Sequence, residues 1–184
     1  MAAGGLAIFG IIATWVFGRE YSDRTVKDFL ALLTAREAIV AAKLVVVAVW
    51  SSALAVWVIL LTLILGTALA LPGGSPTELE DALRTVAEVV VMTILVLAPF
   101  AWVASAGRGY LPPVATLLFV LAVGQLLGVL GWAAYFPWSI ALLVSGAAGP
   151  DAALLGPESY MSVFLAASIG IMATLLRWRY ADHT

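Results

Sequence analysis

Residues 18–43, GREYSDRTVKDFLALLTAREAIVAAK, hold five of the nine lysines and arginines in a chain of 184 residues, and they stand between two long apolar runs. Everything around this stretch is built for lipid: 64% of residues are hydrophobic and only 11% are charged, with a mean hydropathy of +1.10, far from the composition of a soluble domain. The sequence therefore predicts an all-α polytopic membrane protein, and residues 18–43 read as a cytoplasmic loop. Cysteine is absent, which removes disulfides, thiolate nucleophiles and cysteine metal sites from consideration. The single histidine, His183, is second from the C-terminus and reads as a tail residue.

A hydrocarbon core about 30 Å thick needs about 20 apolar residues in a helix, because each residue advances ~1.5 Å and every backbone polar group must be satisfied within the segment. Five segments of one transmembrane domain, 1–184, meet or approach that requirement: about 2–17, 38–71, 83–106, 111–134 and 160–176. The first is short, and the second is long enough to tilt or to project beyond the membrane. Arg19, Arg24, Lys27, Arg36 and Lys43 follow the first segment, Arg108 follows the third, and Arg177 and Arg179 follow the fifth, so alternate loops hold eight of the nine cations. The other loops carry Glu78, Glu80, Asp81, Asp151 and Glu158. Cytoplasmic loops are enriched in Lys and Arg, which sets residues 18–37 and the C-terminus inside and residues 72–82 and 135–159 outside. Five spans with the C-terminus inside leave the N-terminus outside, and the simplest expectation is one further helix before Met1 or a partner that substitutes for it.

Within the loop, Thr25-Val26-Lys27-Asp28 fits a capping box, in which a hydroxyl and a carboxylate satisfy free N–H groups at a helix start. Val26, Phe29, Leu30 and Leu33 then recur at helical spacing, so the segment reads as a short amphipathic helix lying at the membrane surface. Thr34-Ala35-Arg36-Glu37 repeats the capping signature and opens the second span. On these residues alone, an anchoring helix and a partner-docking helix are both open.

The run GREYSDRT-KDFLAL, followed by Arg36 and then Lys43, resembles the first intracellular loop of ABC-2-type transporter permeases, and Phe136-Pro137-Trp138 before the last span resembles members related to bacitracin-export permeases. The resemblance implies a six-helix transmembrane domain lacking its first helix here. It also implies that the loop is a coupling helix, docked on a separate ATP-binding subunit that holds ATP and Mg and transmits its closure to the spans. The residues it assigns to that contact are Glu20, Asp23, Arg24, Thr25, Lys27, Asp28, Phe29, Leu30 and Arg36, with Phe29 and Leu30 as the apolar knob and the charges at its rim. Leu33 and Ala35 stand where many members have Pro and Ser, which bears on the corner geometry. A second permease protomer and the lipid bilayer are the other implied partners. Arg19, Arg36 and Lys43 read equally as anchors for lipid phosphates.

Polar residues inside the spans are pathway candidates by default. Glu88 follows Arg84 by four residues and reads as its ion-pair partner at the outer interface. Gln125 reads as a helix–helix hydrogen-bonding group, and Pro99 should kink the third span. Gly124 and Gly128 form a GxxxG suited to close packing. Tyr135, Phe136, Trp138 and Tyr160 fall at the expected outer aromatic belt, and Trp178 and Tyr180 at the inner one. The stretch 138–144 is too short to span and reads as a re-entrant or interfacial helix.

The chain carries no GxxxxGK[ST], HExxH or GxSxG, so phosphate cradling, zinc proteolysis and nucleophile-elbow chemistry have no carrier here, and nothing beyond ordinary loop cations points to nucleic acid. The function expected is a non-enzymatic, multi-pass permease subunit of the cell membrane that exports a hydrophobic or amphipathic substrate and binds no cofactor itself. The alternative is a truncated paralogue serving as a scaffold or regulatory subunit. The charge pattern predicts that Ser75→Cys, in this cysteine-free background, reacts with an impermeant maleimide from outside intact cells. Reaction only from the cytoplasmic side would reverse the orientation.

Overall fold

The computed structural model describes residues 2–23, 35–70, 75–146 and 155–180, and all regular structure among them is helical. In chain order the helices are α1 (Ala2–Ser22), α2 (Arg36–Ala68), α3 (Pro76–Leu95), α4 (Ala98–Gly107), α5 (Leu111–Val129), α6 (Pro137–Val144) and α7 (Pro157–Tyr180). A 3₁₀ turn, Ala133–Tyr135, leads into α6. Four helical segments are long and apolar enough to cross a membrane: α2, α3 and α4 taken together, α5, and α7; Gly4–Arg19 of α1 is a shorter apolar helix. The chain is a polytopic membrane protein.

The third apolar segment is interrupted. Pro99 has no N–H, so the Leu95 carbonyl loses its regular helical donor, and the chain tightens into a pair of turns: Leu97 N–H donates to Ile94 O at 3.2 Å and Phe100 N–H to Leu97 O at 3.0 Å. The second bond takes from the Val96 carbonyl the N–H it would accept in a regular helix. Trp138, on α6, replaces it, its indole N–H donating to Val96 O at 3.0 Å. The Trp138 ring packs edge-on against Phe100, with centroids 6.3 Å apart. The eight-residue α6 is thus anchored to the break, with Ile140 fully buried and Ala141 and Leu143 nearly so.

α4 is the centre of the bundle, lying against α7, α1 and α5. Phe100, Ala101, Ala104 and Ser105 on it are buried. On α7, Gly170 permits the closest approach: a Cβ there would meet Pro99 N, and would lie 2.6 Å from the Ala98 carbonyl carbon. By contrast α2 stands at the edge, 33 residues long and therefore about 50 Å, with Trp50, Trp57, Ile64 and Leu65 turned outward.

At the start of α3, Ser75 builds a capping box: its Oγ accepts from Glu78 N–H at 3.3 Å, and its own N–H donates to Glu78 Oε2 at 2.6 Å, with Pro76 at the first helical position. The expected cap of α2 differs, because Ala35 is the N-cap and no side chain hydrogen-bonds there; Thr34 lies outside the described residues.

Overpacking at a backbone contact costs about 1–3 kcal/mol, so Gly170→Ala should lower stability in detergent, whereas Gly66→Ala, where a Cβ meets open space, should be neutral or stabilising by up to ~1 kcal/mol. Thermal unfolding of the two variants checks this. Equal melting temperatures would contradict the contact.

Candidate functional site

The charged loop is bounded by the C-terminal end of α1 and the N-terminal end of α2, and the structure ties these two ends together. Lys43, on α2, is only 7% exposed. Its ammonium donates to the Val16 carbonyl of α1 at 2.7 Å and lies over two rings, 5.3 Å from the centroid of Phe17 and 5.6 Å from that of Trp178. A buried cation needs several such partners at once, since the loss of its hydration is far costlier than the stabilisation any one of them provides. The C-terminal end of α1 is also the negative end of its dipole, which favours a cation there. Lys43 therefore turns inward as a clamp joining α1, α2 and α7, not outward as a lipid-phosphate anchor.

Trp178 is the second member of this knot. It is fully buried, not an interfacial belt residue. Its indole N–H donates to Ser105 Oγ on α4 at 3.0 Å, and the Ser105 hydroxyl in turn donates to Ala101 O at 2.9 Å. Its main-chain carbonyl accepts from the Arg36 guanidinium at 3.4 Å. One residue below, Arg179 pairs with Glu37 at 3.4 Å across the same α2–α7 seam. Where α1 ends, Arg19 pairs with Asp23 at 3.2 Å and lies 5.0 Å over the Trp15 ring.

Among the residues assigned to partner contact, Arg36 and Asp23 are thus placed on the two flanks of the loop. Glu20 lies in the last turns of α1, and its side chain is outside the described set. Arg24, Thr25, Lys27, Asp28, Phe29 and Leu30 all fall outside the described residues. Sequence reading passed over the knot itself, because helical spacing says which residues share a face but not that Lys43 and Trp178 face each other.

The candidates inside the spans are dispersed. Arg84 does not pair with Glu88; it pairs with Glu80, one turn earlier, at 3.6 Å in an exposed setting, the more favourable Glu-before-Arg order. Glu88 instead accepts from the Tyr160 hydroxyl of α7 at 2.7 Å. Gln125 is exposed on α5 and makes no hydrogen bond to another described residue; it lines a crevice of about 30 Å³ with Leu6, Gly124, Trp138 and Ser139. Pro99 sits at the break. Beside that break lies an apolar cavity of about 120 Å³, lined by Ala13, Phe17, Val47, Leu97, Ala98 and Ala101. A larger one of about 200 Å³ opens between α1, α2 and α3, lined by Gly5, Ile8, Phe9, Ala55, Val89 and Thr93. Among the described residues no three His, Cys, Asp or Glu side chains meet as a metal site.

The chain covers a known pattern. The family model described as ABC-2 family transporter protein matches residues 5–125. The bacitracin transport permease protein BCRB of Bacillus licheniformis is 25% identical over 180 residues, an alignment that takes in 97% of this chain and 85% of the relative. No solved structure matches. With an aligned family pattern over most of its length and apolar helices able to cross a bilayer, the chain belongs to the ABC-2 family of transporter proteins, as a multi-pass permease of the cell membrane.

Proposed function

We propose that this permease is the membrane subunit of an ATP-driven exporter, in which the loop between α1 and α2 docks on a separate ATP-binding subunit and its displacement moves the spans. The observation that carries this reading is the knot under the loop. Both flanks of the loop end in it, through Val16 and Phe17 on one side and Arg36 and Lys43 on the other. A push on the loop therefore meets a joint, already tied to α7 and α4, instead of two independent helix ends. ATP and Mg belong to the partner, since this chain carries no phosphate-cradling loop.

The spans supply few polar side chains, and the two larger cavities are almost wholly apolar. That chemistry suits a hydrophobic or amphipathic substrate. Bacitracin, named for the relative, is the first compound to test. A second permease protomer completes the proposed assembly, with the transport path enclosed by more apolar surface than one chain supplies.

Phe29 is the largest apolar side chain on the amphipathic stripe of the loop. Losing an aromatic anchor at an interface commonly costs ~2 kcal/mol or more, so Phe29→Ala should weaken association with the ATP-binding subunit by roughly 30-fold while leaving membrane insertion intact. Co-purification and ATP hydrolysis, with wild type and variant at equal membrane levels, check this. Unchanged binding would move the joint away from Phe29, and failure of the wild type to retain any ATP-binding subunit would favour the scaffold alternative.

A further inference from the structure

We propose that α4 is the link that carries movement of the loop to the outer face, with Ser105 and Trp138 as the positioning residues at its two ends; this rests on the ATP-driven reading above. One tryptophan N–H reaches the inner end of α4, and another reaches the turn that joins α3 to its outer end. At the inner end Trp178, whose ring lies under the Lys43 ammonium, donates to Ser105 Oγ at 3.0 Å. At the outer end Trp138 of α6 donates at 3.0 Å to the carbonyl of Val96, the C-cap of α3, and its ring meets Phe100 of α4.

The start of the loop touches the same element directly. A Cβ on Gly18 would lie 3.2 Å from the Gly109 carbonyl and 3.0 Å from the Tyr110 ring, so the end of α1 abuts the turn that leaves α4. Between its ends α4 is a rod of ten residues, half of them buried, about 15 Å long. It is set apart from α3 by the break at 95–98, where Pro99 and the displaced Phe100 N–H have already removed two regular helical bonds. Rotation of α4 against α3 therefore breaks no continuous helix, and the 120 Å³ cavity beside the break gives the rod space to turn. α6 is tied to the break by the Trp138 N–H and to α4 by the contact of that ring with Phe100, so a turn of α4 strains the seat that α6 has on α3, α5 and α7.

Ala141, on α6, is 6% exposed, so a cysteine there reports whether α6 lifts from the bundle. The experiment uses the permease co-purified with its ATP-binding subunit in lipid nanodiscs, and reads maleimide modification of Ala141→Cys with and without ATP, Mg and vanadate. Trapping nucleotide should change the rate at least five-fold. Adding Trp138→Phe, which keeps a ring but loses the N–H, or Ser105→Ala, which removes the inner acceptor, should reduce that response to less than two-fold while ATP hydrolysis continues. A purely packing role would shift the resting rate and leave the nucleotide response in place, and that result in both variants would overturn the proposal. No nucleotide response in Ala141→Cys alone would overturn it too. Should Trp138→Phe fail to insert, Ser105→Ala decides. A wild-type permease that retains no ATP-binding subunit would remove the reading beneath, which is distinct from a bound, hydrolysing complex whose α6 response survives both substitutions.

Discussion

Hydrocarbon supplies no hydrogen bonds, so each backbone carbonyl in a span must find its donor within the protein. Pro99 makes that requirement acute. Its missing N–H turns one long span into α3 and α4, and the geometry of the turn frees Val96 O. The indole of Trp138 fills the place, and this bond accounts for much of the outer half of the fold. An eight-residue helix is too short to cross the bilayer, and here α6 is held where its buried face meets α3, α5 and α7. Gly170 answers the same break from the opposite side, since only a residue without a Cβ lets α7 lie against the Ala98–Pro99 backbone.

The inner half is organised by charge. A lysine ammonium with 7% exposure is tolerable because a carbonyl at 2.7 Å, the negative end of α1 and two aromatic faces surround it. Cation–π contacts reach about 2 kcal/mol or more when desolvated, and removing the partners of a buried charge costs more than the contacts themselves contribute. The knot is therefore directional. It holds three helices in one register, and replacing Lys43 with an apolar residue relieves the buried charge but also releases that register.

Much of the architecture was legible in the sequence, for physical reasons. Long apolar runs and the interruption at Pro99 are written in composition and spacing, and residues 18–43 carry a resemblance to a known family's loop. Side-chain direction is not. Arg84 and Glu88 share a helical spacing that fits a pair, yet Tyr160 from a distant helix captures Glu88. Trp178 and Trp138 look like belt residues by position, because the sequence shows their depth and not the acceptors, Ser105 and Val96, that draw them inward. Lys43 misleads similarly, since cations near span ends usually snorkel. The capping box at Ser75 was not among the caps read from the sequence, although Ser-Pro-Thr-Glu carries both the Ser-x-x-Glu spacing and a proline at the first turn.

The surface inverts the logic used for soluble proteins. Exposed Val45, Trp50, Trp57, Leu60 and Ile64 on α2 match lipid chains in polarity, so they mark no interface by themselves. Polar groups at the same depth are the informative ones. Glu88 is answered by Tyr160, Thr93 by Val89 O at 2.6 Å and Thr174 by Gly170 O at 2.7 Å, each within the bundle. Gln125 is exposed and without such an answer, but its crevice is shared with Ser139, so its amide borders polar lining on that side. Among the described residues the buried Thr14, Ser51 and Ser159 hydroxyls and the Arg177 Nε also have no hydrogen-bond partner, so unmet polarity is found at both ends of the bundle. The break places Ser139 as well: α6, which caps the Val96 carbonyl, brings that hydroxyl against Gly124 of α5, where a Cβ would lie 3.2 Å from its Oγ.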